Sequence, residues 1–269
     1  MTLVILTGRG PQHRYVAGAL AAAFPEALAA IVVADPPARP AVQRVRGYLR
    51  RYTAPQLASR AAAKLVDRVT GASAGRQRIV AAKLFPGGDA GRMPREDLVR
   101  SVPSHNHASC LELLDAIAPD IISVYGTAVI REPVMRRARR AILNMHTGLS
   151  PRYRGADSVF WALYNGEPGW IGATVHGLEA ALDGGPIFGT RRVAVDPDDD
   201  EATLFAKTVV AGAALYVDVV RAVRHGTETT APQNLAEGRE YRFVDRTVIA
   251  EWRVARALRR GLLRGAPPL

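Results

Sequence analysis

Four short apolar runs, residues 3–6, 29–34, 121–125 and 141–144, constrain this chain more than any other feature. Each runs into a turn-forming or polar residue: Gly8, Asp35-Pro36-Pro37, Gly126 and Asn144. A strand with one wet face alternates apolar and polar residues. An uninterrupted run needs cover on both faces, which is the condition of a parallel sheet sandwiched between helices. The intervening segments supply that cover, with helical patterns over residues 14–23, 109–118 (stopped by Pro119) and 132–139. The reading is an α/β fold, a Rossmann-like open and mostly parallel sheet with helices on both faces. Ligands in such sheets bind outside the carboxyl ends of the strands, where Gly8, Gly126 and Asn144 fall.

Further along, residues 170–175 and 187–195 read as later strands. Residues 201–223 read as a long helix packing Leu204, Val209, Ala213 and Val217 on the sheet. Residues 1–230 then form the principal domain. Two regions look additional to it. Residues 36–102 form a basic, largely helical insertion, with helices over 44–51 and 56–69 and a strand-like piece over 78–84. Residues 231–269 form a C-terminal extension whose basic amphipathic helix, 246–264, sets Trp252, Ala255, Leu258 and Leu262 on one stripe.

Composition narrows the function classes. The single cysteine, Cys110, removes any intramolecular disulfide or cysteine-rich metal site, and no metal is expected. The run Met1 to Gly8 lacks the basic start and small-residue cleavage site of a signal peptide, so a cytoplasmic location is expected. No run of about 18 apolar residues is present, so no membrane span is expected. The net charge of +11, from 36 basic and 25 acidic residues, favours encounter with anionic partners and fits an anionic small molecule. Aromatics are 6% of residues and do not interleave with the basic runs, so dedicated nucleic-acid binding is not expected. Gly8-Arg9-Gly10 lacks the third glycine of a dinucleotide fingerprint.

The chemistry concentrates in residues 144–187. Asn144 and His146 stand two apart and would share one face of an extended segment. An amide donor suits an oxygen that gains charge when an amine attacks a carbonyl carbon, an effect worth about 10²–10³ in rate. An imidazole suits the proton the amine sheds, worth about 10²–10⁴. Asp183, in Leu182-Asp183-Gly184-Gly185-Pro186, is the candidate carboxylate to orient and charge-stabilise that imidazole. Singly, each reads better as a turn or packing residue, and only together do they read as a catalytic group; His176 reads equally as pocket lining or strand packing.

In order and surroundings, Asn144-Met145-His146, Tyr153-Arg154-Gly155, Trp161 to Glu167, Gly172 to His176 and Asp183 to Ile187 closely resemble the folate-dependent formyltransferases. That family moves a formyl group from 10-formyltetrahydrofolate to a primary amine. The resemblance implies the catalytic group Asn144, His146 and Asp183. It also implies a pterin site built from Gly126, Thr127, Ala128, Val129 and Ile130 on one side and Leu178, Ala181 and Asp183 on the other. The acceptor would meet Gly8, Arg9, Gly10, Tyr153, Arg154, Gly155 and Trp161. A nucleotide-linked amino sugar is the favoured acceptor, and a homodimer is compatible with the pattern.

The family's Asn-x-His-Pro-Ser-Leu-Leu-Pro becomes Asn-Met-His-Thr-Gly-Leu-Ser-Pro, so Thr147, Gly148 and Ser150 depart from it. Pro11 and the missing Gly-Ser-Asn run disfavour a glycinamide ribonucleotide substrate. The alternatives are a 10-formyltetrahydrofolate hydrolase, whose regulatory domain precedes its first strand whereas a strand here begins at residue 3, or a non-catalytic binding protein that keeps the fold. The tail is too short for the separate tRNA-binding domain of methionyl-tRNA formyltransferases.

Overall fold

The computed structural model describes residues 1–37, 40, 52–179 and 183–265. Its centre is a seven-stranded sheet. In chain order the strands are β1 (Leu3–Thr7), β2 (Leu28–Ala34), β3 (Val99–Val102), β4 (Ile121–Val124), β5 (Ala141–His146), β6 (Tyr153–Gly155), β7 (Gly172–Gly177), β8 (Ile187–Arg192) and β9 (Arg239–Tyr241). The spatial order is β3-β2-β1-β4-β5-β7-β8, while β6 and β9 form a separate parallel pair. The strands from β3 to β5 run parallel, and β7 and β8 close the sheet antiparallel.

The helices are α1 (Pro11–Ala23), α2 (Ala54–Thr70), α3 (Ala72–Leu84), α4 (Ala108–Ile117), α5 (Glu132–Met135), α6 (Ser158–Tyr164), α7 (Glu201–His225) and α8 (Val248–Arg259). The apolar strands divide their residues between two cores, as a sheet buried on both faces must. Leu3, Ile5, Ile31 and Val33 face α1, α3 and α7 in one core. Val4, Leu6, Val32 and Val124 join Cys110 and Leu114 of α4 in the other. A third cluster sits beyond the sheet edge, where α6, β6, β9 and α8 bury Tyr153, Phe160, Trp161, Tyr241 and Val254 together.

The expected segment 36–102 is more than an addition to the core. Residues 78–84 are helical and belong to α3, contrary to the strand-like reading. Val80 and Leu84, four apart, fall on one helical face and enter the first core, a spacing that local β-branched preference does not reveal. Val99–Val102 is an edge strand of the main sheet, with Arg100 and Ser101 outside. The helix expected over 44–51 lies outside the described residues. The helix expected over 132–139 ends at Met135 after one turn. In the tail, the expected helix shortens to α8, followed by a single 3-10 turn at Leu262–Gly265.

Candidate active site

The carboxyl ends of the parallel strands form two adjacent but different sites. At the first, the His13 ring fills the space between Gly8 and Gly126: a Cβ on Gly8 would lie 3.0 Å from His13 Cε1, and one on Gly126 would collide with it. Gly126 also sits at φ 61°, which costs glycine little. The Gly8 N–H donates to His13 Nδ1 at 3.2 Å, and Thr7 Oγ1 donates to the Tyr125 carbonyl at 3.1 Å. Burial pulls the His13 pKa down to about 4, despite the Tyr125 carbonyl, and Arg14 adds to the shift. This imidazole is therefore neutral near pH 7.

At the second site the three expected side chains meet. Asn144 and His146 lie on β5, and β7 runs antiparallel beside it with His176 opposite Asn144. Asp183 arrives from 39 residues beyond Asn144. Its Oδ2 is 3.6 Å from His146 Nδ1 and its Oδ1 is 3.3 Å from His176 Nε2. Asn144 Nδ2 donates to Asp183 Oδ1 at 3.4 Å and lies 3.1 Å from His176 Nε2. Because Gly177 O can only accept, His176 Nδ1 donates to it, at 2.7 Å, and Nε2 is left at the meeting point of amide and carboxylate. His176, read from sequence as equally pocket or packing, is fully buried within this group.

Two contacts from outside the strand ends set Asp183 in place. The Gly155 N–H donates to Oδ2 at 2.8 Å, and Gln233 Nε2 donates to the Asp183 carbonyl at 2.9 Å and also to that of Gly185. Asp183 itself holds φ at 49°, a conformation that a non-glycine residue keeps only when its surroundings impose it. Burial pushes its carboxyl pKa up, but the imidazoles of His146 and His176 and the Gly155 N–H outweigh that and hold it well below the usual carboxylate range. Asp183 is thus an anion among two imidazoles and an amide.

His146 is fixed on its other edge. Its Nε2 lies 2.9 Å from the Tyr153 carbonyl and 3.1 Å from Ser158 Oγ. A carbonyl only accepts, so Nε2 carries a proton and Nδ1 is the nitrogen turned to Asp183. Ser158 begins α6 directly after Asp157, and the tail anchors that corner. Arg246 donates to both Glu201 oxygens at 2.8 Å and to Glu251 at 2.8 Å, lies 3.6 Å from Asp157 and stacks over the Phe160 ring at 4.0 Å.

The remaining expected site residues separate into groups. Gly126 and its loop through Ile130 are braced by Asn106, which donates to the Val129 carbonyl at 2.8 Å and accepts from the Arg131 N–H at 2.8 Å. Thr127 Oγ1 donates to the Ala128 carbonyl, Val129 is exposed, and Ile130 is buried. Leu178 packs against the same apolar cluster that buries Ile130, so the two expected pterin loops rest on one core. Ala181 lies outside the described residues.

Among the expected acceptor residues, Gly155 touches the group directly, through its backbone. Arg9 pairs with Asp35 at 3.3 Å and donates to Ser101 at 2.8 Å, on the far side of β1, beside Gly10, which caps α1. Arg154 points toward the Leu235 carbonyl. Tyr153 and Trp161 stand apart from the expectation as buried packing residues: Trp161 stacks 4.6 Å from Tyr241, and Tyr153 donates its hydroxyl to Glu167 at 2.6 Å. The Tyr153 hydroxyl instead faces a separate cavity of about 230 Å³ lined by Arg152, Asn165, Glu167, Arg239 and Tyr241.

Sequence comparison fits this geometry. The formyl transferase family model matches residues 69–220, more than half of the chain. The chain belongs to the formyl transferase family. Over 136 residues, covering 51% of this chain and 43% of the relative, it is 32% identical to a methionyl-tRNA formyltransferase of Chlorobium chlorochromatii. The chain therefore spans less than half the length of the curated relatives it matches.

Solved formyltransferases share the fold. A sugar N-formyltransferase from Shewanella sp FDAARGOS_354 superposes with TM-score 0.58 at 12% identity, covering 96% of this chain and 88% of that one. An N-formyltransferase from Helicobacter canadensis superposes with TM-score 0.52 at 11% identity, covering 92% and 73%.

Proposed function

We propose that this protein transfers a formyl group from 10-formyltetrahydrofolate to a primary amine. The observation that carries the reading is the convergence of Asn144, His146 and Asp183 within hydrogen-bonding and ion-pairing reach at the carboxyl end of β5. Membership of the formyl transferase family supports it. The folate supplies the carbon at the formyl oxidation level. Ile130 and Leu178, resting on one apolar core beside the Gly126 loop, suit a flat ring with polar edges.

The side chains divide the work. One N–H of Asn144 points at Asp183 and His176, which leaves its second N–H for the oxygen that gains negative charge. His146 holds its Nε2 proton against the Tyr153 carbonyl, so the amine's proton is taken at Nδ1 and passed to the folate nitrogen as its bond to the formyl carbon breaks. There the new charge lies 3.6 Å from the Asp183 carboxylate. Two unit charges at about 4 Å attract by roughly 4 kcal/mol at an effective dielectric near 20, before the cost of burying them is subtracted.

The favoured acceptor is an amino sugar carried on a nucleotide. The net charge of +11 supports an anionic acceptor, and the Helicobacter canadensis relative of this fold was solved with folinic acid and dTDP-3-aminofucose. The deciding assay mixes the protein with 10-formyltetrahydrofolate and, separately, with nucleotide amino sugars, methionyl-tRNA or no amine. Tetrahydrofolate release that requires an amine is the expected result. Release without amine means hydrolysis, and none with any acceptor refutes the reading.

A further inference from the structure

The altered loop after His146 has a partner elsewhere in the chain. Gly148 is not in a left-handed conformation, so its backbone does not demand glycine. Space does: a Cβ there would lie 2.6 Å from both Cβ and Oγ of Ser158 and would collide with His146 Nε2. Atoms of that kind do not approach so closely without displacing one another. The volume beside the Nε2 edge of His146 holds one small side chain, and Ser158 occupies it from the first turn of α6.

We infer that Ser158 is a positioning residue for His146, that its hydroxyl and the Tyr153 carbonyl together fix the ring with Nδ1 toward Asp183, and that Gly148 is empty to admit it. Three observations carry this. Ser158 Oγ lies 3.1 Å from Nε2, and Ser158 is buried, so water does not compete for the contact. The Tyr153 carbonyl, 2.9 Å away, selects which nitrogen carries the proton. The hydroxyl then limits rotation of the ring about that single bond, because a ring held at one edge by one acceptor keeps a hinge and a ring held by two does not.

The inference deepens the formyl-transfer reading and rests on it only for the kinetic arm of its test. Ser158→Ala, Ser158→Thr and Gly148→Ala are compared with the parent protein by imidazole nitrogen–proton NMR of His146, the signal being assigned with His146→Gln. Folding is checked by thermal melting, and turnover is measured with the amine that supports it. In Ser158→Ala the His146 ring signals shift and broaden, kcat falls about 3–10-fold, the worth of one net hydrogen bond, and KM for either substrate stays put. Ser158→Thr keeps the hydroxyl, so its ring signals stay sharper than those of Ser158→Ala although the added methyl shifts them, and Gly148→Ala displaces the ring signals further than Ser158→Ala does.

His146 signals in Ser158→Ala that overlay those of the parent overturn the inference. A loss that appears in KM overturns it equally. If the parent protein turns over no amine, the formyl-transfer reading fails, and the NMR arm still decides whether Ser158 holds the ring.

Discussion

His13 and His146 stand at the carboxyl ends of neighbouring strands of one sheet, yet they do opposite things. Both are withdrawn from solvent. Around His13 the groups are a backbone N–H, the Thr7 hydroxyl, a carbonyl and an arginine, with no carboxylate paired to it among the described residues, so burial wins and the ring is neutral. Around His146 the chain brings the Asp183 carboxylate to Nδ1 and the Tyr153 carbonyl to Nε2, so an anion stands at one edge of the ring and a backbone acceptor at the other. Burial alone makes an imidazole inert; burial with a fixed counter-charge makes it a base.

The comparison breaks most sharply at the second site. Asn144→Ala and His146→Ala should each lower turnover by at least about 10² while melting temperature stays near the parent's. A near-normal rate in either removes that residue from the mechanism.

Next in size is the anchor behind that site. Arg246→Ala leaves Glu201, Glu251 and Asp157 facing one another at a partly buried corner, and should cost on the order of 2 kcal/mol in urea unfolding, discounted for the exposure of its partners. Turnover should fall with it, because Asp157 leads into Ser158. Unchanged stability would make the tail a solvated appendage.

The first site is tested by pH. Unfolded His13 titrates near 6.5 and folded His13 near 4, so between those values the unfolded chain binds the extra proton. Stability that His13 contributes above pH 6.5 is therefore lost as pH falls toward 4, by about 2 kcal/mol between pH 7 and 5. His13→Gln should flatten that slope in urea titrations at the two pH values. An identical slope in both proteins would mean the ring is charged or exposed. The smallest effect is expected at Trp252, which is exposed on α8: Trp252→Ser should change stability by no more than about 0.5 kcal/mol.

Much of this was readable in the residues, and the rest has a common reason for being hidden. Strands β1, β2, β4 and β5 announced themselves because strands covered on both faces are mostly apolar along their length, with most of their few polar residues at the carboxyl ends. Edge strand β3 did not, since Arg100 and Ser101 face outward. Asn144, His146 and Asp183 were visible as residue types in a familiar order, and the structure brings them together. Their supports were not: Asn106, Ser158, Gln233 and Arg246 act across long stretches of chain, and nothing local marks them. Gly155 was expected at the acceptor and instead offers its N–H to Asp183. Tyr153 and Trp161, aromatic residues beside the motif, proved to be packing for the third core.

The most direct test of the account is the amine-dependent formyl-transfer rate of Asp183→Asn against the parent protein, at saturating donor. The variant keeps the shape of the side chain and removes its charge. A fall of at least about 10² in kcat, with folding intact, is the predicted result. A rate within a factor of about two would contradict it and reduce Asp183 to a turn residue.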